Sequence, residues 1–260
     1  MNINFIIQPL IRHLAITSVL LPVLSITQPM AQATAYETQA ATTSNTPSAA
    51  SIVSPSEEVK QSLMTKLAKL AFFSADFSQE ILNEQGELLQ TGAGNFAISK
   101  PNLVNWQTTT PDETLIVSDG KTLWFYDPFI EQVSAFSLAK SIHNTPILLL
   151  TSDDPTLWQQ YTVIEKLVVE QGHVEGKTEI GSIYVVIPKD ESSQIKKLTL
   201  SFTKTSSDDA NSGQLSEFSF QDATGQISQI TLSHFNNKTK PAAELFTFTL
   251  PEGVRLEDKR

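Results

Sequence analysis

Val59, Leu63, Leu67, Leu70 and Ala71 recur at helical spacing behind Ser54-Pro55-Ser56-Glu57, with Lys60, Lys66 and Lys69 on the other faces. The opening tetrapeptide has the form of a capping box with Pro at the first helical position, so an amphipathic helix is expected from Ser54. The period then changes from 3.6 to 2. Phe73, Ala75 and Phe77 alternate with polar residues toward Ile81, and Gly86 and Gly92 to Gly94 punctuate the chain before Phe96 and Ile98. Leu115-Ile116-Val117 and Leu123-Trp124-Phe125-Tyr126 flank Ser118-Asp119-Gly120-Lys121, where Asp-Gly suits the positive φ angles of a tight hairpin. Further strands are expected at Tyr161 to Lys166, Ile183 to Ile187, Ile195 to Phe202, Gln214 to Phe220, Gln226 to Ser233 and Leu245 to Thr249. Strands at this spacing without long helices between them predict one antiparallel sheet. Asp154-Pro155 has the polar-then-Pro form of a short helix start. So has Thr145-Pro146, but Ile147-Leu148-Leu149-Leu150 also suits a buried strand.

Composition changes the picture at the N-terminal end. Arg12 and His13 precede an apolar run from Leu14 to Ile26, and Ala31-Gln32-Ala33 follows as a small-x-small cleavage site. The run is shorter than the ~20 residues of a membrane span and contains Pro22. Residues 1–33 are therefore expected to be a signal peptide for export to the periplasm. Residues 34–53, rich in Ala, Thr and Ser, are expected to be a disordered linker, and residues 54–260 the folded domain.

The net charge of −10 disfavours nucleic acid and anionic headgroups as partners, since phosphate binding needs Lys and Arg. The absence of cysteine removes disulfides, thiolate catalysis, Cys-based zinc sites and a Cys-linked lipid anchor. His143, His173 and His234 stand at no metal-ligand spacing, and no His-carboxylate motif appears. Asp153-Asp154 and Asp208-Asp209 lie in polar loops, as does Glu175 to Glu179, and Ser118-Asp119 lacks the glycines of a nucleophile elbow. No catalytic residue, metal or cofactor is expected.

Four segments together resemble the outer-membrane lipoprotein carrier (LolA) family. They are Lys100-Pro101-Asn102-Leu103-Val104-Asn105-Trp106; Pro111-Asp112-Glu113 through Val117-Ser118-Asp119-Gly120-Lys121-Thr122-Leu123-Trp124-Phe125-Tyr126-Asp127-Pro128-Phe129 to Glu131-Gln132-Val133; Asn144-Thr145-Pro146 with Trp158-Gln159-Gln160-Tyr161; and Phe246-Thr247-Phe248 with Pro251-Glu252-Gly253-Val254 and Asp258-Lys259-Arg260. The resemblance implies an incomplete, unclosed antiparallel β-barrel covered by short lid helices. It further implies that Leu63, Leu67, Leu70, Val104, Trp106, Ile147, Leu148 and Leu149 line an acyl-chain cavity and its lid, and that Lys100 latches the lid. In the family the latch is usually Arg and the position of Val104 often Phe, so both contacts are expected to differ here. The resemblance also implies the partners: the acyl chains of lipoproteins, an inner-membrane ATP-driven releasing ABC complex, and an outer-membrane receptor, with the carrier a monomer. The alternative is a periplasmic lipid-binding sensor or receptor on the same half-barrel.

Overall fold

The computed structural model describes residues 53–55, 57–141, 145–152, 154–166, 180–203 and 213–260. The expected signal peptide, the linker as far as residue 52, His143, His173, Asp153, the Glu175 to Glu179 loop and the Asp208-Asp209 pair lie outside these residues.

Thirteen strands form one sheet: β1 (Val53–Pro55), β2 (Phe72–Leu82), β3 (Leu88–Ser99), β4 (Leu103–Thr110), β5 (Thr114–Asp119), β6 (Thr122–Asp127), β7 (Gln132–Ser137), β8 (Tyr161–Lys166), β9 (Ile180–Pro188), β10 (Ile195–Thr203), β11 (Leu215–Asp222), β12 (Ile227–Asn236) and β13 (Arg255–Lys259). Their spatial order is β1-β8-β9-β10-β11-β12-β2-β3-β4-β5-β6-β7-β13, with β1 and β13 as unjoined edges. The sheet curls nonetheless. Val163 on β8 and Phe136 on β7, each one strand from an edge, belong to the same buried cluster. This is the expected unclosed barrel.

The alternation of β2 sets the geometry: Phe73, Ala75, Phe77, Gln79 and Ile81 all point inward and are buried. Registers align Phe73 with Ile98 and Val104, and Phe96 with Trp106 and Ile116, so apolar rows cross several strands. Among the described residues, three helices and two 3-10 turns accompany the sheet: α1 (Glu57–Lys69), α2 (Leu138–Ser141), α3 (Pro155–Trp158), and 3-10 turns at Pro146–Leu150 and Ala243–Phe246. The undecided apolar run is thus helical. Thr145 precedes it without a side-chain cap, whereas Asp154 caps α3 through Thr156 N–H.

Several expectations are corrected. Val53 to Pro55 pairs with β8, and the helix starts at Glu57 rather than at Pro55. A sheet edge tolerates proline because its missing N–H can face away from the ladder. Lys60 and Lys66 are buried: Lys60 Nζ pairs with Glu57 at 2.9 Å, and Lys66 Nζ lies 5.6 Å from the centre of the Phe202 ring. Long aliphatic stems let both lysines cover apolar surface.

Gly92 and Gly94 do not break the chain but lie within β3. At Gly94 a Cβ would fall 1.9 Å from the Gln107 carbonyl oxygen, so close backbone approach, not a turn, requires glycine. In the β5–β6 hairpin only Gly120 takes positive φ, +87°, while the Asp119 side chain accepts from the N–H groups of Lys121 and Thr122.

Leu245 to Thr249 is not a strand. It crosses the outer face, where Asn105 Nδ2 donates to the Leu245 carbonyl at 2.7 Å and Phe248 stacks on Trp124 at 5.2 Å. β13 follows and pairs with β7 in parallel, so the sheet is mixed at that edge.

Candidate functional site

The inner face is built around one tryptophan. Trp106 meets Phe77, Phe96 and Phe218 edge-on at centroid distances of 5.4, 5.6 and 5.9 Å, drawing together β4, β2, β3 and β11. Edge-to-face contacts of this kind add ~0.5–1.5 kcal/mol each beyond area burial. Phe73 continues the cluster toward the helices, 5.5 Å from Phe96 and 4.6 Å from Phe235. On β12, His234 sits at φ +49° beside a register shift, just before Phe235.

Into this bowl project the side chains expected to line the cavity. Leu63, Leu67, Leu70, Val104, Trp106, Leu148 and Leu149 are all buried in a single cluster. Ile147 belongs to the same 3-10 turn as Leu148, its side chain lying outside the described residues. Leu150, of the expected Ile147 to Leu150 lid run, and the α3 residues Leu157 and Trp158 join the cluster, the last two without having been expected as lining residues. The next apolar positions after each proline were the available signal.

The covering segments make polar as well as apolar contacts with the sheet. Ser62 on α1 shares a hydrogen bond of 3.1 Å with the Tyr184 hydroxyl of β9. Burial pushes the Tyr184 phenol pKa up, so the group stays neutral and able to share that bond. The turn after the Pro146–Leu150 segment is held by its backbone: Asn102 N–H donates to the Thr151 carbonyl at 3.1 Å, with Asn102 at φ +62°. Ser118 Oγ in turn donates to the Asn102 carbonyl.

Lys100 stands two residues away at the end of β3, half-buried, its N–H donating to the Ala71 carbonyl at 2.8 Å. The expected latch position therefore adjoins the lid anchor. Sequence reasoning missed Asn102 as the residue whose backbone makes the contact.

Gln79 Oε1 and Nε2, Asn102 Oδ1 and Thr145 Oγ1 are buried without hydrogen-bond partners, each such group costing about 1–3 kcal/mol. One His-carboxylate pair does exist, on the outside: His234 Nδ1 lies 2.7 Å from Asp76 Oδ2, and Asn95 donates to the other Asp76 oxygen. The partners are 158 residues apart, so no motif search along the chain finds them. Among the described residues, no three His, Asp or Glu side chains gather where they could hold a metal ion, and no helix is long and apolar enough to cross a membrane.

Fold and site define a half-barrel whose apolar interior is roofed by short helices. The chain belongs to the outer membrane lipoprotein carrier protein (LolA) family, whose profile matches residues 68–249. It is 36% identical over 203 residues to an outer-membrane lipoprotein carrier protein of Aeromonas salmonicida, covering 78% of this chain and 90% of the relative. It is 37% identical over 201 residues to one of Photobacterium profundum, covering 77% and 90%. Among solved structures, a LolA superfamily protein of Nitrosomonas europaea aligns with a TM-score of 0.40 and 13% identity, over 75% of this chain and 98% of that one.

Proposed function

We propose that this protein is a periplasmic carrier that shelters the acyl chains of lipoproteins between its sheet and its helices. The observation that supports this best is the single apolar cluster shared by the inner face, α1 and the Pro146–Leu150 segment. An acyl chain gains ~0.8 kcal/mol per methylene on leaving water, roughly 11 kcal/mol for about fourteen methylenes. Leu63, Leu67, Leu148, Leu149 and Leu150 fill the bowl in this closed form. At ~1.5–3 kcal/mol each they contribute about 8–15 kcal/mol. Cargo and lid are thus close to isoenergetic occupants of the same surface, so one displaces the other without a large net change. A carrier that must release its load needs that balance.

Carriage makes and breaks no covalent bond, so the reading needs neither a catalytic group nor a cofactor. Loading comes from an ATP-driven inner-membrane complex and unloading goes to an outer-membrane receptor, with the carrier monomeric between them. Residues 1–33 direct export and are removed. Lys100 acts as the lid latch, its position beside the Asn102–Thr151 contact supporting that role.

Native mass spectrometry of the protein isolated from the periplasm tests the reading. Acylated lipoproteins should copurify one to one with a chain that begins near Thr34. Recovery of the full-length N-terminus in the membrane fraction, or a purified chain that accepts no acylated peptide, overturns it.

A further inference from the structure

The inward row of β2 contains four apolar side chains and one carboxamide. Gln79 is 1% exposed, yet neither its Oε1 nor its Nε2 has a hydrogen-bond partner. Buried amides are ordinarily paired, and leaving both a donor and an acceptor orphaned works against stability. A leucine there would suit the wall better.

The side chain lies on the inner face of the sheet. Its cross-strand neighbours are Ile230 on β12 and Gly92 on β3. A Cβ at Gly92 would stand 3.6 Å from Gln79 Oε1, an ordinary contact, and 3.1 Å from the Thr110 carbonyl oxygen, so glycine leaves the carboxamide without a side-chain neighbour on that side. An unsatisfied polar group in a mostly apolar wall is how a ligand-orienting contact is built.

We propose that the Gln79 carboxamide is a hydrogen-bonding anchor for the carbonyl oxygen of a bound acyl group, whether amide- or ester-linked. The inference rests on the carrier reading and deepens it. The first polar atom of any acyl chain is its carbonyl oxygen, which loses water on entering the bowl just as Gln79 has. Nε2–H donates to that oxygen. Amide and ester linkages both present that oxygen, so the contact recognises the acyl carbonyl and not the linkage type. One neutral bond corresponds to roughly fivefold in affinity.

Displacement of a hydrophobic dye by N-methyldecanamide, methyl decanoate and decane, each compared between variant and wild type so that differences in water solubility cancel, tests this. Gln79→Leu and Gln79→Met should weaken the amide and the ester about fivefold each, and leave decane as tight or tighter. Equal shifts for all three probes, no shift for any, or unfolding of both variants would make Gln79 a structural residue and overturn the proposal. Failure of the wild type to bind even decane would instead overturn the carrier reading, and this inference with it.

Discussion

Strand β6 shows two aromatic surfaces held down in different ways. Its inward side chains, Leu123 and Phe125, are buried in the bowl, and Leu123 belongs to the cluster that includes α1 and the Pro146–Leu150 segment. Its outward ones, Trp124 and Tyr126, meet Phe248 of the C-terminal segment, and Arg260 lies over Trp124 at 5.3 Å. The outer contact carries directional fastenings: Asn105 donates to the Leu245 carbonyl and β13 adds a ladder to β7, while within the strap Asp258, held at a pKa of about 2 by the Arg260 side chain, pairs with it. The inner contact is built on one apolar cluster. A surface that exchanges occupants needs adhesion without specific bonds, whereas the outer strap fixes an edge that would otherwise present an unpaired β7 to other chains.

Removing the hub of the inner face should have the largest effect. Trp106→Ala leaves Phe77, Phe96 and Phe218 facing a void, and the expected loss is about 3–5 kcal/mol in urea unfolding. If the loss is under 1 kcal/mol, the aromatic cluster is not the core of the bowl.

Leu148→Ala separates lid from core. The side chain is fully buried in the closed form but belongs to the roof, so closure should weaken by about 2–5 kcal/mol while the sheet stays folded. Dye uptake by the empty protein should rise, with circular dichroism unchanged. Unchanged uptake would place Leu148 in the permanent core.

The division between what sequence showed and what it hid follows the same two surfaces. The inner face was legible because burial writes itself into periodicity. β8 runs from Tyr161 to Lys166 as expected, and Leu63, Leu67 and Trp106 reach one cluster. The outer strap was not. Arg255–Lys259 has one large apolar residue and pairs through its backbone, while Leu245 to Thr249 has a strand's alternation but spends it on Trp124 and Asn105. Gly92 and Gly94 misled for a related reason: their meaning lies in the neighbouring backbone, which no local pattern contains. Gln79 looked like any polar residue in an alternating strand because its orphaned state exists only after folding.

Position 100 sharpens the comparison, since a latch would add a directional bond to the inner surface. Hydrogen bonds from a charged donor contribute about 1.5–3 kcal/mol, enough to set whether a lid is mostly open or mostly closed. Lys100→Arg, with a planar fork of donors, should lower dye uptake by the empty protein, and Lys100→Leu should raise it. Equal uptake by all three would make Lys100 an ordinary strand-end residue.

A smaller effect is expected on the outer face. Phe248→Leu keeps apolar cover on Trp124 and removes the ring stacking, for about 0.5–1.5 kcal/mol in unfolding experiments. Dye uptake should not change. A rise in uptake would show that the strap and the roof are coupled through the sheet.

The smallest effect should come from Asp119, and it is a matter of pH. Burial works against ionisation of its carboxyl, but hydrogen bonds from Thr122 N–H, the Trp124 indole and Lys121 N–H outweigh it and hold the pKa below the ordinary 3.8. A depressed carboxylate binds its proton less readily folded than unfolded. Its contribution is therefore complete above the unfolded value and is lost as pH falls below 3.8 and through the lower folded value. Asp119→Asn keeps an oxygen that can accept from the same turn amides but has no proton to take up. The wild type should lose more of its urea midpoint between pH 5 and pH 3 than the variant does, the side chain's exposure keeping the difference modest. Parallel pH profiles would mean that the turn is held by Gly120 and the strand ladder alone, and that the charge on Asp119 contributes nothing to fastening the outer face.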